Sequence, residues 1–578
     1  MTEFRVWAPA AARVRLRLTG AGEDHRMTRA DSGWWHARVP QAGPGTDYVF
    51  LLDDSDQELP DPRSAWQPAG VHGPSRRYDH AAFSWTDRSW TGRQLPGSVL
   101  YELHVGTFTP EGTFDAAVDR LDHLVDLGVD LVELLPVNAF NGEHNWGYDG
   151  ACWYTPHEPY GGPDGLKRFV DACHRKGLGV ILDVVYNHFG PSGAYAPMFA
   201  PYLSAQDTPW GRTVNLDGPH SDEVRRYVVD SVTMWLRDYH VDGLRLDAVH
   251  AMPDTRAVPL LEELAVEVET LATHLGRPLS LIAESDLNDP RLITPREAGG
   301  FGLHAQWNDD AHHALHTLLT GERQGYYADF GSLECLAEVL TGGFYHAGGW
   351  SSFRNRHHGR PVDRQRTPGH RLVAYLQNHD QIGNRATGDR ISATLSPALL
   401  RVGATLLFTA PFTPMLFMGE EWAASTPWQY FTSHPEPELA TAVAAGRRRE
   451  FAAHGWSGPD VPDPQDRQTF LRSRLDWAEL DKPEHREMYD FHRRLIALRK
   501  SRADLSDPRL DTVEVRHGDR FLLVRRGRTL VAANLADRAQ RISTPGVVRG
   551  VLLATGTGVT VMRDGLELPP ETAAVVAL

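Results

Sequence analysis

"GLRLDAVHAM", Gly243 to Met252, alternates apolar and charged side chains through its first half. In an extended strand, residues of one parity share a face, so Leu244 and Leu246 point one way while Arg245 and Asp247 point the other. Two opposite charges side by side lower the cost of burying either. One reading is an ion pair that serves only structure; the other is a working pair at the mouth of a site. The choice depends on which element carries the motif.

From about residue 98 the chain alternates short apolar runs with longer segments of helical period, the rhythm of parallel strands joined by crossover helices. Strand runs fall near 99–105, 131–135, 179–185, 243–247, 279–283, 302–307, 372–376 and 414–417, with a helical segment expected after each. Eight such units predict a closed (β/α)8 TIM barrel, with the opening motif on its fourth strand. Gly128 and Gly177 fall where left-handed caps end helical runs, and Pro163 with Asp164 marks the start of another. The last helix, "REMYDFHRRLIALRK", puts Met488, Phe491, Leu495 and Leu498 on one core-facing stripe. The stretch 430–475, rich in Pro, Gly and charge, reads as a long loop before it.

Both ends of the chain keep a period of two. "FRVWAPA", "RVRLRL", "WWHARV" and "YVFLL" alternate with Gly, Pro and Asp clusters and predict an N-terminal β-sandwich. Trp7, Trp34 and Trp35 are expected to fill its core rather than to form a sugar platform. "TVEVRHG", "RFLLVRRG" and "TLVAANL" predict a C-terminal antiparallel β domain. The expected division is 1–92, 93–502 and 503–578.

Composition narrows the partners. A formal net charge of -16 and a pI near 5.9 argue against nucleic acid or an anionic membrane, which need basic patches. Cys152, Cys173 and Cys335 form neither a CxxC pair nor an even framework, so they read as reduced thiols in a cytoplasmic protein, with no metal site and no cofactor expected. The opening "MTEFRVWAPA" has no basic segment followed by an apolar run, and no apolar run approaches the roughly 18 residues of a membrane span. A neutral small-molecule ligand fits best.

Catalytic groups in such barrels sit at the C-terminal ends of strands, where Asp247 lies. Strand three ends in "DVVYNH" (Asp183 to His188), strand five in "LIAES" with Glu284, and strand seven in "YLQNHD" with His379 and Asp380. Each has an ordinary explanation alone: a hydrogen-bonding Asp183, an Asn187 turn cap, an exposed Glu284, a surface His379–Asp380 pair. Their arrival at successive strand ends points to one mouth. Glycoside cleavage suits it, because an oxocarbenium-like transition state needs one ionised carboxylate and one protonated carboxyl. Arg245 supplies the counter-charge for Asp247, while a desolvated Glu284 among other carboxylates stays an acid.

"DVVYNH", "GLRLDAVHAM", "LIAESD" and "LQNHDQIGNR", in this order, resemble the four sequence regions of the α-amylase superfamily, glycoside hydrolase family thirteen. "EFRVWAPAAARVRLRL" is similar to the sandwich that precedes the barrel in its branching and debranching members, and "TPWGRTVNLDGPHSDEVRRYVVDSVTMWL" resembles the same subgroup. The resemblance implies Asp247 as nucleophile, Glu284 as general acid/base, and Asp380 as the carboxylate that grips and distorts the sugar ring. It implies Tyr148, within "NWGYDG", as a stacking platform, with His188, Arg245 and His379 bonding around it. Retention of anomeric configuration is also implied, which sets the two main carboxyls about 5 to 5.5 Å apart.

"WNDDAHHALHTLLTGERQGYYADF", Trp307 to Phe330, together with "LQNHDQIGNR", resembles the branch of that family that cuts the α-1,4 bond next to a terminal trehalose. Where typical α-amylases carry a Lys-His pair after the nucleophile, this chain has His250 and Ala251, so its leaving-group side is rebuilt. The resemblance offers Trp210, His250, Asp254, Tyr327, Phe353 and Arg354 for that side, although Trp210 and Phe353 have a packing reading and Tyr327 a loop-anchoring one. Asn187 matches one calcium ligand of the family, without a clear set of others. A synthase that makes the trehalose-ended chain is the implied pathway partner. Two readings compete: a glucan branching enzyme or related transglycosylase on the same barrel, and a non-catalytic glycan-binding barrel, which sugar turnover surviving Asp247→Ala would revive.

Overall fold

The computed structural model describes residues 3–20, 22–208, 211–453 and 461–578, with side chains to residue 449 in the third stretch. Its centre is a closed barrel of eight parallel strands. These are β1 (Leu100–Leu103), β2 (Leu131–Leu134), β3 (Gly179–Val184), β4 (Gly243–Leu246), β5 (Ser280–Ala283), β6 (Ala305–Trp307), β7 (Leu372–Tyr375) and β8 (Thr413–Phe417). Each run marked out by the sequence holds one strand.

Strand parity sorts the barrel interior into layers. Leu100, Leu131, Ile181, Ile282, Val373 and Met415 form one inward-facing apolar cluster. Two residues further along β1 to β4, the same face presents Glu102, Glu133, Asp183 and Arg245, and register sets Glu102 beside Glu133 and Asp183 beside Arg245. Gly243 opens β4 because a Cβ there would lie 2.5 Å from the Ser280 carbonyl and 2.8 Å from Ile181 Cδ1. Its bare backbone gives Ile181 the middle of the lower layer.

The crossover after β1 uses α1 (Leu121–Leu127), closed by Gly128 in the left-handed region at φ 97°. Further helices are α2 (Gly162–Arg175), which takes Pro163 and Asp164 into its first turn, α3 (Ser221–Asp238) and α4 (Leu260–Leu275). They continue with α5 (Asp309–Thr320), α6 (Leu333–Gly342), α7 (His379–Gly383) and α8 (Pro397–Thr409). The chain then forms α9 (Pro437–Ala453) and α10 (Pro483–Ser501). On α10, Met488, Phe491 and Leu495 are buried and Leu498 packs half-buried against the core.

Two expectations are corrected. No α-helix follows β5: the chain makes only single 3-10 turns at Pro290–Leu292 and Arg296–Ala298. Pro295 interrupts any longer helix there, and a side chain at Gly300 would collide with the Thr294 carbonyl, 2.1 Å from its Cβ. The stretch 430–475 is not one loop, since α9 and a short helix at Arg467–Arg472 occupy much of it. The alanine- and arginine-rich run "ATAVAAGRRREFAA" has the propensity for this despite its polarity.

The N-terminal strands form a three-stranded and a four-stranded sheet, with Trp7 and Trp35 buried and Trp34 half-buried under the Arg5 guanidinium, 5.0 Å from the ring centre. Arg63 ties this unit to the barrel by donating to Tyr154 at 2.9 Å and to Asp230 at 2.8 Å. The C-terminal strands pair antiparallel in five-stranded and three-stranded sheets. Among the described residues, no helix is long and apolar enough to cross a membrane.

Candidate active site

Arg245 is fully buried and joins the ends of four strands. Its Nη1 lies 2.7 Å from Asp183 Oδ2 and 2.8 Å from Asp247 Oδ1, and its Nη2 lies 3.7 Å from Glu284 Oε2. Its guanidinium carbon stands 4.2 Å from the centre of the Trp307 ring at the end of β6. Stacking on the ring and the surrounding carboxylates offset part of the cost of stripping this cation of water, although its Nε and Nη2 take no hydrogen-bond partner in the protein. Asp247 is held on its other oxygen as well, since Asn187 Nδ2 donates to Oδ2 at 2.7 Å and to the Asp247 carbonyl at 3.0 Å.

The chain turns sharply after Asp247. Ala248 adopts a left-handed conformation at φ 40°, unusual for a residue with a Cβ, and its N–H donates to Glu284 Oε2 at 2.5 Å. The Val249 N–H donates to the Glu284 carbonyl at 3.0 Å. Local strain thus places the backbone after one carboxylate under the next. Burial pushes Glu284 up to about 8 against the pull of Arg245, with Asp247, Asp380 and Asp309 adding to the rise. Burial likewise raises Asp183 to about 7, with Arg245 opposing and Asp247 adding.

The other wall is built on β1 and β7. His379 is clasped by Glu102, whose Oε1 lies 2.5 Å from Nδ1 and whose Oε2 accepts the His379 N–H at 2.9 Å. Burial pulls this imidazole down, but Asp380 and Glu102 more than offset it and bring it to about 9. Its Nε2 faces the Tyr148 hydroxyl at 2.8 Å and Asp380 Oδ2 at 3.4 Å. The Tyr148 hydroxyl donates to Asp183 at 2.7 Å, its ring stacks on His379 at 5.2 Å, and its carbonyl meets His188 Nε2 at 3.0 Å. Gly147, at φ 112°, permits this placement, because a Cβ there would lie 2.2 Å from the Pro136 carbonyl.

Tyr148, His188, Asp247, Glu284, His379 and Asp380 line one cavity of about 600 Å³, together with His250, Phe353 and Arg354. Arg354 reaches Asp286 at 2.9 Å, and His250 Nε2 lies 3.9 Å from the same carboxylate. The structure does not bring all the sequence candidates here. Arg245 is buried beside the cavity and not among the residues that line it; it braces the carboxylates. Asp254 is tied to Arg225 at 2.5 Å and to the Leu260 N–H at 2.6 Å, an ion pair that fixes the start of α4 and lines a neighbouring, largely apolar pocket that shares His250 with this cavity. Tyr327 is buried against α5, its hydroxyl 2.9 Å from His312 Nε2, and its neighbour Tyr326 faces the cavity instead. Trp210 lies outside the described residues.

Several cavity groups escaped the sequence reading: Trp307 at the end of β6 and Asp309 just after it, Tyr326, and Tyr430, Val443 and Arg447 from the stretch around α9. Glu102 was readable in principle, since it shares parity with inward-facing Leu100. Asn187 is engaged with Asp247 and His188. Among the described residues, no group of three or more His, Cys, Asp or Glu is arranged to hold a metal ion.

Residues 78–207 match the family described as "Alpha amylase, catalytic domain", residues 1–64 match "Carbohydrate-binding module 48 (Isoamylase N-terminal domain)", and residues 508–575 match a domain of unknown function. The malto-oligosyltrehalose trehalohydrolase of Mycobacterium tuberculosis is 57% identical over 551 residues, 94% of each chain. That of Rhizobium sp. is 54% identical over 582 residues, covering 99% of this chain and 97% of its own. The chain belongs to the malto-oligosyltrehalose trehalohydrolases of the α-amylase family. It is therefore a glycoside hydrolase. A 1,4-alpha-glucan branching enzyme of Bacillus subtilis is more distant from this trehalohydrolase family member, at 30% identity over 53% of the chain. A crystal structure described as an alpha amylase from Salmonella typhimurium superposes with a TM-score of 0.91 at 38% identity, covering 100% of this chain and 97% of its own. A pullulanase from Anoxybacillus shares the fold alone, with a TM-score of 0.73 at 18% identity, covering 100% of this chain and 86% of its own.

Proposed function

We propose that this cavity cuts the α-1,4-glucosidic bond next to the terminal trehalose of a maltooligosyltrehalose, with retention, and releases free trehalose. The observation that carries the reading is the meeting of Asp247 and Glu284 on the single guanidinium of Arg245, where Asp247 takes two donors and Glu284 keeps its proton up to about 8. These are the two carboxyl states that glycoside cleavage with retention requires.

In the first half-reaction Glu284 gives its proton to the glycosidic oxygen while an Asp247 oxygen bonds to C1, so that trehalose leaves with a new hydroxyl and a glycosyl ester stays on the enzyme. In the second, Glu284 takes a proton from water, the water oxygen bonds to C1, and the ester breaks to free Asp247. Two displacements at C1 return the starting configuration. Asp380, half-exposed beside a cationic His379, is the group assigned to the hydroxyls of the reacting sugar, with Tyr148 as the face beneath it and His188 behind. His250, Phe353 and Arg354 are assigned to the leaving side.

The same proposal places the protein in the cytoplasm, taking its substrate from a synthase that makes the trehalose end. Cys152, Cys173 and Cys335 are buried free thiols, which fits a reducing compartment. It also retains 1–92, 93–502 and 503–578 as the folding units.

Product analysis tests the reading. Incubation with maltooligosyltrehalose should release free trehalose, with much slower action on plain maltooligosaccharide of equal length. New α-1,6 branches, or equal rates on both, would count against it.

A further inference from the structure

Asp309 follows β6 as the first residue of α5 and lines the cavity with Asp247, Glu284 and Asp380. Its Oδ1 is pinned twice, by the Tyr375 hydroxyl from β7 and by Gln381 Nε2 at 3.4 Å from α7. No described residue donates to its Oδ2, which is not sealed off from the cavity. A carboxylate fixed through one oxygen presents the other as an acceptor of set direction.

It shares the cavity with charged neighbours. Asp380 and Asp286 face it from α7 and from the segment after β5, with Asp310 adjacent and Glu284 and Tyr326 within electrostatic reach. Asp286 is the residue held by Arg354 and approached by His250. Asp309 thus shares one cavity with the carboxylate assigned to the reacting sugar and with the group that Arg354 and His250 approach on the leaving side. Glu284, the carboxyl that protonates the leaving oxygen, feels its charge.

We infer that Asp309 is a specificity-determining residue whose free oxygen accepts a hydrogen bond from a hydroxyl of the leaving disaccharide. The inference rests on the reading that this disaccharide is trehalose. A site built around a hydroxyl rejects a leaving group that presents none there, because the carboxylate is then left desolvated and unpaired. Trehalose and maltose carry different groups at the same distance from the scissile bond, so one fixed acceptor separates them.

The test compares kcat/KM for maltotriosyltrehalose and maltopentaose in wild type, Asp309→Asn and Tyr375→Phe. Asp309→Asn should lose about 10- to 100-fold on the trehalose-ended substrate, the scale of a charged hydrogen bond, and under about 3-fold on the plain one. Tyr375→Phe keeps the carboxylate but removes a pin, and should give an intermediate loss of the same ratio. In the Asn variant the basic limb of kcat/KM should also move to lower pH, since one of the charges that raise Glu284 is gone. Equal losses on both substrates, or an unchanged ratio with an unmoved limb, would overturn the inference. A wild type that cuts both substrates alike would sink the underlying reading before any variant is compared.

Discussion

The two halves of the barrel interior use the same strands and the same backbone ladder, yet they do opposite work. The lower layer, Leu100, Leu131, Ile181, Ile282, Val373 and Met415, is apolar. Each large apolar side chain taken from water there stabilises the fold by about 1.5 to 3 kcal/mol. Just above it, Glu102, Glu133, Asp183 and Arg245 occupy the same inward face, and burial drives Glu133 well above its ordinary value and Asp183 up to about 7. Both Glu133 oxygens and Asp183 Oδ1 take no hydrogen bond from the protein. The lower layer holds the barrel closed; the upper one holds charges at a cost in stability, because the cavity above needs them.

That division predicts where the largest loss falls. Asp247→Asn should leave the fold intact and lower kcat by about 10⁴-fold or more, since the covalent step disappears. Glu284→Gln should be nearly as damaging with natural substrate, and should abolish the basic limb of the pH profile. The sign follows from the chemistry: Glu284 works protonated, so wild-type kcat/KM is full well below its value of about 8 and falls as pH rises through it. A wild-type profile flat from pH 6 to 10, or an Asp247→Asn enzyme within 10-fold of wild type, would break the comparison at its upper layer.

Glu102 offers an intermediate effect, because it acts through His379 and not on sugar. The pair holds the imidazole cationic up to about 9, against the pull of burial. Glu102→Gln keeps an acceptor beside Nδ1 but removes a negative charge, so the imidazolium should lose its proton at lower pH. For a drop of about one unit, the expected loss of kcat/KM relative to wild type is about two-fold at pH 8, approaches ten-fold towards pH 10 and vanishes as pH falls. A pH-independent loss would mean that Glu102 only fills space.

The contrast between layers also explains what could be read from the chain. Parity along a strand is strict, so once "GLRLDAVHAM" lay on β4, Arg245 and Asp247 had to face inward, and Asp183 and Glu284 followed by the same rule, whereas His379 opens α7 beyond the end of β7. Even so, the rule gave direction and not depth: Arg245 is buried beside the cavity and not among the residues that line it. Loops obey no such rule. Tyr326 and Tyr327 share one 3-10 turn, and nothing in "GYY" tells which ring meets the cavity. Asp254, in the irregular segment before α4, pairs with Arg225 on α3, and the helix that brings Arg447 to the cavity is hidden in a Pro- and Gly-rich context. Asp309 sits past the end of its strand, where a first-turn aspartate has an ordinary helix-starting explanation.

The smallest effect on catalysis should come from the lower layer itself. Ile181 fills the space that Gly243 leaves open, and its removal creates a cavity among fully buried neighbours. Ile181→Ala should cost about 2 to 5 kcal/mol of stability, read as a lower denaturant midpoint in urea unfolding. Asp183, two residues further on the same strand, keeps its bonds to Arg245 and Tyr148, so kcat per folded molecule should stay within about 3-fold of wild type. The outcome turns on rigidity. If kcat falls with stability, beyond about ten-fold, then the apolar layer sets the positions of the carboxylates above it and the two halves act as one unit; if it does not, the charged layer is held by its own hydrogen bonds and the barrel beneath it is support alone.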